Sequence, residues 1–187
     1  MKSKHALIAA FAAALLGGCA SDNASYVEPG GPRSIISANK IDVADWNAAA
    51  ASLTNDLLSS GVLERTGEKQ PIKLLVSRVK NSTSEVVDVE MLTRKITMTL
   101  INSGKAIVAS SDVATQELAE AEAAANGSKL EKPKITITGK ILENREINSS
   151  MKEVTYTFML DVNYRGSAIW SGEKQITKQA EKPLFGW

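Results

Sequence analysis

The hydrophobic periodicity of this 187-residue chain changes near residue 134, and this change is the strongest constraint on its fold. After that point, apolar and polar residues alternate in three successive segments, which predicts three β-strands. The segments are 134–142, 153–164 and 168–178, and the turn sequence Arg165-Gly166-Ser167 separates the last two. We therefore predict that the sheet ends in a three-stranded meander.

Before residue 134, apolar residues recur at helical spacing in three segments. The first predicted helix begins at Asp45 as its N-cap, the second at Asp88, and the third at Ser111 or Asp112. Each segment ends at or near a glycine, which is typical of helix C-termini. These signals predict three helices.

Short apolar runs lie between the predicted helices. Residues 72–79 and 106–110 predict two buried strands, whereas the polar residues 81–84 predict a loop. The element order is therefore α-β-α-β-α-β-β-β. We predict an α/β (α+β) fold, in which about three helices pack with a mixed four- to five-stranded sheet containing parallel neighbours. One globular domain is expected over residues 41–187.

The chain contains a single cysteine, Cys19, and its sequence context predicts a lipid anchor. Lys2 and Lys4 precede the apolar run 6–16, which is too short to span a bilayer but has the length of a signal peptide. The sequence Leu-Gly-Gly-Cys that follows is typical of a bacterial lipobox. We predict a lipoprotein signal peptide at residues 1–18 and lipidation of Cys19. By the sorting rule of Gram-negative lipoproteins, Ala20 indicates the outer membrane, with the protein facing the periplasm.

The residues between the predicted anchor and the first helix are small and polar, with Pro29 and Pro32 flanking two glycines. This composition predicts a flexible tether over residues 19–40. A chain of this length reaches at most about 75 Å at about 3.6 Å per residue.

Removal of the signal peptide takes away Lys2, Lys4 and the only histidine, His5, and leaves 20 basic against 21 acidic residues. The mature chain therefore contains no histidine, and its only cysteine, Cys19, is predicted to be lipidated. It lacks the residues for Ser-His-Asp or Cys-His catalysis and for histidine-ligated metal sites. The near-zero net charge gives no indication of nucleic-acid binding. We expect no enzyme activity, no cofactor, no metal and no small-molecule substrate.

Four features of the sequence resemble the LpoB family of lipoproteins. They are "DWNxAA" at the first helix, "LLVSRVKNST" after it, "LxNSGK" at the end of the second helix, and "YTFxLxxxxxxxxIWSGEKQITK" in the meander. The resemblance extends from Asp45 to about Gln179. It implies a fold similar to the N-terminal domain of TolB.

Members of this family are outer-membrane lipoproteins that activate class A penicillin-binding proteins, the bifunctional peptidoglycan synthases. The resemblance implies that this chain docks on a small non-catalytic domain of such a synthase and stimulates glycan polymerisation. The family's better-known members have a long proline-rich linker, whereas the tether predicted here is short. The sequence leaves open whether the partner lies at the inner membrane or nearer the outer membrane.

The alternation over residues 153–164 permits a second interpretation. A strand of this length could cross an outer membrane in a multi-subunit barrel. The chain would then be a lipoprotein subunit of a secretion or envelope-assembly complex, similar to curli secretion or TolB systems. The following segment argues against a pore, since Glu173, Lys174 and Gln175 place polar groups on both of its faces.

The C-terminal segment ends in Leu184, Phe185 and Trp187. Two interpretations remain open. These residues could cover an edge of the sheet, or Phe185 and Trp187 could bind a partner protein, because aromatic residues commonly anchor protein interfaces.

Overall fold

The computed structural model describes residues 27–28, 31–32 and 41–181 of the chain. The predicted signal peptide, Cys19, most of the predicted tether and the C-terminal segment 182–187 lie outside the described residues. Among the residues that are described, no helix combines the length and the apolar character needed to cross a membrane.

The first helix, α1, runs from Val43 to Ser59, and its N-cap is Asp42. The prediction of Asp45 as the N-cap is wrong. The carboxylate of Asp45, in the first turn, accepts a hydrogen bond from the backbone N–H of Asp42 at 3.2 Å, as in a capping box. The sequence pattern favoured Asp45 over Asp42 because the apolar positions of the helix begin at Trp46, directly after Asp45.

The other two helices begin where the sequence predicts. Helix α2 is Val89–Asn102, and the N-cap Asp88 accepts a hydrogen bond from the Met91 N–H at 2.9 Å. Helix α3 is Val113–Ala125, and its N-cap Asp112 accepts from the Thr115 N–H at 2.9 Å. The Asp88 and Asp112 caps are therefore confirmed.

Within residues 41–181, six strands form one mixed sheet. They are β1 Ile72–Val76, β2 Lys80–Ser82, β3 Ala106–Ala109, β4 Ile135–Ile147, β5 Met151–Tyr164 and β6 Ser167–Glu181. The strand order is β3-β1-β4-β5-β6, and β2 also pairs with β4. β1 is parallel to both of its neighbours, whereas β4, β5 and β6 form the antiparallel meander. The predicted mixed α+β fold is confirmed.

Strand β2 is the element that the sequence did not predict. The predicted strand 72–79 stops at Val76, and the predicted loop begins inside β2, so both boundaries are wrong. The backbone leaves the ladder at Val79, whose N–H donates to the Thr93 hydroxyl of α2 at 3.1 Å. A Cβ on Gly139 of β4 would lie 2.9 Å from a methyl group of Val79. The missing side chain of Gly139 therefore lets Val79 pack against β4 at the interruption.

The core lies between one face of the sheet and the helices α1 and α2. Alternate residues of β5, including Tyr156 and Phe158, are buried on this face, as the alternation predicts. Trp46 of α1 meets both rings edge to face, with ring centroids 5.7 Å from Tyr156 and 6.5 Å from Phe158. The alternation in β5 is therefore explained by packing beneath the helices.

Helix α3 is placed differently from α1 and α2. Its residues face Lys73 and Leu75, which are on the opposite face of β1 from the buried Ile72 and Leu74. None of its residues is buried, and Leu118 is 71% exposed. This second face of the sheet is therefore left largely open.

Candidate interaction surface

Strand β3 forms one edge of the sheet, because β1 is its only partner among the described strands. The Ile72 N–H donates to the Lys105 C=O at 2.9 Å. In a parallel ladder the bonded residues alternate, so Lys105, Ile107 and Ala109 direct their backbone groups toward β1. The backbone N–H and C=O groups of Ala106 and Val108 consequently point away from the sheet. This row of outward-facing groups can accept another strand.

The side chains of β3 are apolar, and part of this surface is open to solvent. Ile107 is 52% exposed on the open face of the sheet. Helix α2, which packs against β3, carries two more exposed apolar side chains, with Met98 48% and Ile101 49% exposed. Apolar surface therefore lies both on the edge strand and on its neighbouring helix.

A groove of about 360 Å³ runs beside Ile107 on the open face of the sheet. The charged residues in its lining comprise four lysines and two glutamates, which gives the groove a net charge of +2. They are Lys69, Lys73, Lys132 and Lys134, together with Glu68 and Glu131. The groove can therefore attract an acidic ligand.

The two glutamates are engaged by neighbouring cations. Glu68 accepts hydrogen bonds from the Tyr164 hydroxyl at 2.8 Å and from the Lys134 ammonium at 3.0 Å, and Arg165 lies 3.6 Å from its carboxylate. These hydrogen bonds hold the pKa of Glu68 below its ordinary value, and the Glu68 carboxylate raises the pKa of both Lys134 and Tyr164. Glu131 lies 3.4 Å from Lys134. The negative charge in the groove is therefore already compensated.

Two lysines in the groove have exposed side chains with no partner among the described residues. Within the described part of the chain, Lys69 and Lys132 form no hydrogen bond or ion pair, whereas the Lys73 ammonium donates to the Glu131 backbone carbonyl at 3.0 Å. Lys69 and Lys132 are thus available to a ligand.

A second cleft, of about 400 Å³, continues from this groove beneath α3. Leu75, Ala109 and Ala119 contribute apolar surface to its lining. The Gln116 side-chain amide of α3 donates to the Ser110 carbonyl at 2.7 Å, which ties the helix to the end of β3. The groove and the cleft share Lys73 and Lys132 in their linings and therefore lie next to each other on the open face.

The opposite edge of the sheet, β6, has a different character. Charged residues occur in its second half, among them Glu173, Lys174 and Glu181, and its uncharged first half contains a β-bulge opposite Val162 and Asn163. Lys178 of the same strand pairs with both Asp42 and Asp45 at the start of α1. Charges and bulges on an edge strand hinder pairing with another chain, so β6 is protected where β3 is not.

A polar cluster far from β3 has a structural role. Arg145 of β4 pairs with Glu143 and, at 2.7 Å, with Glu85, and the Ser84 N–H donates to Glu143 at 2.8 Å. Burial raises the pKa of Glu143, but the bonds from Arg145 and Ser84 outweigh it and leave that pKa below the ordinary value. These contacts hold the loop after β2 against β4.

The sequence-predicted site residues lie outside the described part of the chain. These are Cys19, predicted to be lipidated, and Phe185 and Trp187, predicted to bind a partner. Among the described residues, no group of three or more potential metal ligands comes together. The β3 edge was not predicted as a site, although its uncharged sequence "AIVA" was an available signal.

Comparison with protein families gives a match over most of the folded part. A family model described as peptidoglycan-synthase activator LpoB matches residues 45–176. The chain belongs to this family. The resemblance expected from the sequence motifs is therefore confirmed, and the function described for the family is activation of a synthase rather than catalysis.

Solved structures that resemble the chain include three of LpoB. The LpoB C-terminal domains from Salmonella enterica and Escherichia coli are each 21% identical and cover 71% of this chain and 98% of their own, with TM-scores of 0.41 and 0.42. The NMR structure of E. coli LpoB is 20% identical and covers 89% of this chain and 86% of its own, with a TM-score of 0.42. A search of curated proteins found no match.

Proposed function

We propose that this chain is an outer-membrane lipoprotein that faces the periplasm and activates a class A penicillin-binding protein by direct contact. The observation that carries the proposal is the family match over residues 45–176. The chain would contribute no catalytic group, and its effect would arise from binding the synthase in a more active state.

The proposed anchor is a diacylglycerol group on Cys19, attached before residues 1–18 are removed. The lipobox sequence and the apolar run before it support this part of the proposal. Residues 19–40 would then connect the lipid to a single domain formed by residues 41–187. Phe185 and Trp187 are proposed to contribute to the contact with the synthase, because aromatic side chains are enriched in interface anchors.

The proposal is tested by adding the mature lipoprotein, in detergent, to a purified class A synthase with labelled lipid II. We expect a several-fold increase in the initial rate of glycan polymerisation, saturating with lipoprotein concentration. The lipoprotein without synthase should release no product. A monofunctional glycosyltransferase that lacks the non-catalytic docking domain serves as the matched control and should not respond.

An unchanged polymerisation rate, together with no detectable binding to the synthase, would contradict the proposal. Binding without a change in rate would contradict activation but not contact. The Phe185→Ala/Trp187→Ala variant tests the contribution of the C-terminal aromatic residues. Loss of stimulation with an unchanged melting temperature would support their proposed role in the contact.

A further inference from the structure

The edge strand β3 combines outward-facing backbone groups, an apolar sequence and a neighbouring groove of positive charge. We propose that this edge binds an extended acidic segment of a partner protein, which adds to the sheet as a further strand beside β3. The inference rests on the proposed function only for the identity of the protein that supplies the segment. The strand addition itself concerns the β3 edge alone.

The backbone geometry supplies the first reason. Ala106 and Val108 direct their N–H and C=O groups away from β1, as the bond from Ile72 to Lys105 requires. A segment that pairs with these groups gains main-chain hydrogen bonds whatever its sequence. Since β3 has four residues, a matching segment needs only about four to six residues.

The choice between the two edges supplies the second reason. β6 is the longer edge, but its second half carries charges such as Glu173 and Lys174, and its first half contains a β-bulge; both features oppose pairing with another chain. β3 contains no charged residue. Of the two edges formed by the described strands, β3 is therefore the one that accepts a new strand.

The charge of the groove specifies the ligand. Alternate side chains of an added strand would lie on the open face, beside Ile107 and one strand away from Lys73. Lys132 and Lys69 line the same groove without a partner among the described residues. Ile107 lines the groove itself, so carboxylates at these alternate positions would be attracted by the net positive charge of the groove, and the segment is acidic on this face.

The remaining side chains of the segment would lie on the helix-covered face. There Val108 of β3 packs against the core but is only partly buried. Apolar residues would remove this surface from water. The expected segment therefore alternates acidic and apolar residues.

The probe for this inference is a fluorescein-labelled hexapeptide of alternating valine and glutamate, with blocked ends. Its binding to the mature lipoprotein in detergent is followed by fluorescence anisotropy. We expect saturable binding that is at least tenfold weaker for the corresponding valine–lysine peptide. We also expect slower hydrogen exchange at residues 106–109 in the complex, since the outward N–H groups become hydrogen-bonded.

N-methylated peptides test the backbone pairing. N-methylation of the peptide amides that face β3 should abolish binding, whereas N-methylation of the alternate peptide amides should not.

The decisive variant is Val108→Pro. Proline removes an N–H that points away from β1, so the ladder between β1 and β3 is retained while the outward donor is lost. The matched control is Val113→Pro, because the first position of α3 tolerates proline and lies off the edge. We expect Val108→Pro to weaken peptide binding at least tenfold and the control to leave it unchanged. Lys132→Glu should weaken binding about two- to fivefold without altering the backbone, a range typical of one solvent-exposed charge pair.

Several outcomes would overturn the inference. They are no binding of the acidic peptide at millimolar concentration, equal binding by Val108→Pro, or binding without protection at residues 106–109. A dimer of the mature chain that Val108→Pro dissociates would show that a second copy, rather than a partner segment, occupies the edge. In the synthase assay, stimulation by the unmodified chain and equally by Val108→Pro would reject the synthase as the source of the segment and leave the proposed function intact. No stimulation by the unmodified chain would reject the proposed function whatever the peptide result.

Discussion

The ammonium group of Lys178 on β6 lies 3.0 Å from a carboxylate oxygen of Asp42, the residue that caps α1. The same ammonium lies 2.8 Å from Asp45, and the Lys178 side chain is only 14% exposed. Burial lowers the pKa of Lys178, but the hydrogen bonds that its ammonium donates to Asp45 and Asp42 outweigh it and raise that pKa above its ordinary value. This contact fixes the start of α1, where the proposed tether joins the domain, to the last strand of the sheet.

We predict that Lys178→Met destabilises the fold by about 1–3 kcal/mol, because two partly buried carboxylates lose their cationic partner. Chemical denaturation of the mature chain measures the change. The control is Lys174→Met, which removes an exposed lysine of the same strand and should have little effect. Because the pKa of folded Lys178 is raised, its stabilisation is present below the ordinary lysine pKa of about 10.4 and is lost as the pH rises through the folded value. Equal stability of Lys178→Met and Lys174→Met at neutral pH would contradict this account.

Glu68 is expected to affect stability at the acidic end of the pH range. Its pKa is lowered in the folded chain by Tyr164 and Lys134, so its contribution is present above the ordinary glutamate pKa and is lost as the pH falls through the folded value. The melting temperature of Glu68→Gln should therefore be lower than that of the unmodified chain at pH 7, and the difference should shrink as the pH falls through the folded pKa of Glu68. Glu131→Gln changes a more exposed glutamate of the same groove and is the control. A difference that persists unchanged at low pH would show that shape, rather than charge, causes the effect.

The contact between Gly139 and Val79 gives a packing prediction. An added Cβ at Gly139 would lie 2.9 Å from a Val79 methyl group and 3.3 Å from a Leu160 methyl group. We expect Gly139→Ala to destabilise the chain by about 1–3 kcal/mol, because Val79 is branched at Cβ and cannot move its methyl groups aside freely. The double variant Gly139→Ala/Val79→Ala should lose less stability than the sum of the two single variants. Simple additivity in denaturation experiments would argue against this contact as the cause.

The contact between Gly139 and Val79 also shows which part of this fold could not be predicted from the sequence. The helices and the meander depend on local periodicity, so their types and order were predictable from residues such as Leu92 and Phe158. The interruption between β1 and β2 depends on Val79 meeting Gly139, which is 60 positions away in the sequence, and local periodicity contains no information on it. The β3 edge was not predicted as a binding site for a related reason. "AIVA" predicts a strand, but only the observed sheet order shows that this strand is an edge.

Anchoring through Cys19 is predicted to depend on its thiol. Cys19→Ser should leave the domain folded but release it from the membrane fraction, because the hydroxyl cannot receive the lipid. Globomycin treatment of cells with the unmodified gene should make the unprocessed precursor accumulate. Fractionation followed by immunoblotting measures both effects. Retention of Cys19→Ser in the outer-membrane fraction would show that the proposed anchor is wrong.

The proposed tether is predicted to be critical in length if the synthase lies at the inner membrane. Deletion of residues 21–27 keeps Cys19 and Ala20 and also keeps the hydrogen bond from the Gly31 N–H to the Glu28 C=O. It shortens the maximum reach by roughly 25 Å, at about 3.6 Å per residue. Complementation in cells should then fall steeply, whereas binding of the mature lipoprotein to purified synthase in detergent should stay unchanged.

Replacing residues 21–27 with a glycine–serine segment of equal length is the matched control, since it keeps the reach and changes the sequence. This variant should complement as well as the unmodified chain. If it fails while the deletion also loses binding in solution, residues 21–27 are themselves part of the contact surface and the tether interpretation is wrong. If the deletion complements fully, reach is not limiting, and the partner domain lies within about 50 Å of the anchor. The deletion and the replacement thus distinguish an effect of tether length from an effect of tether sequence.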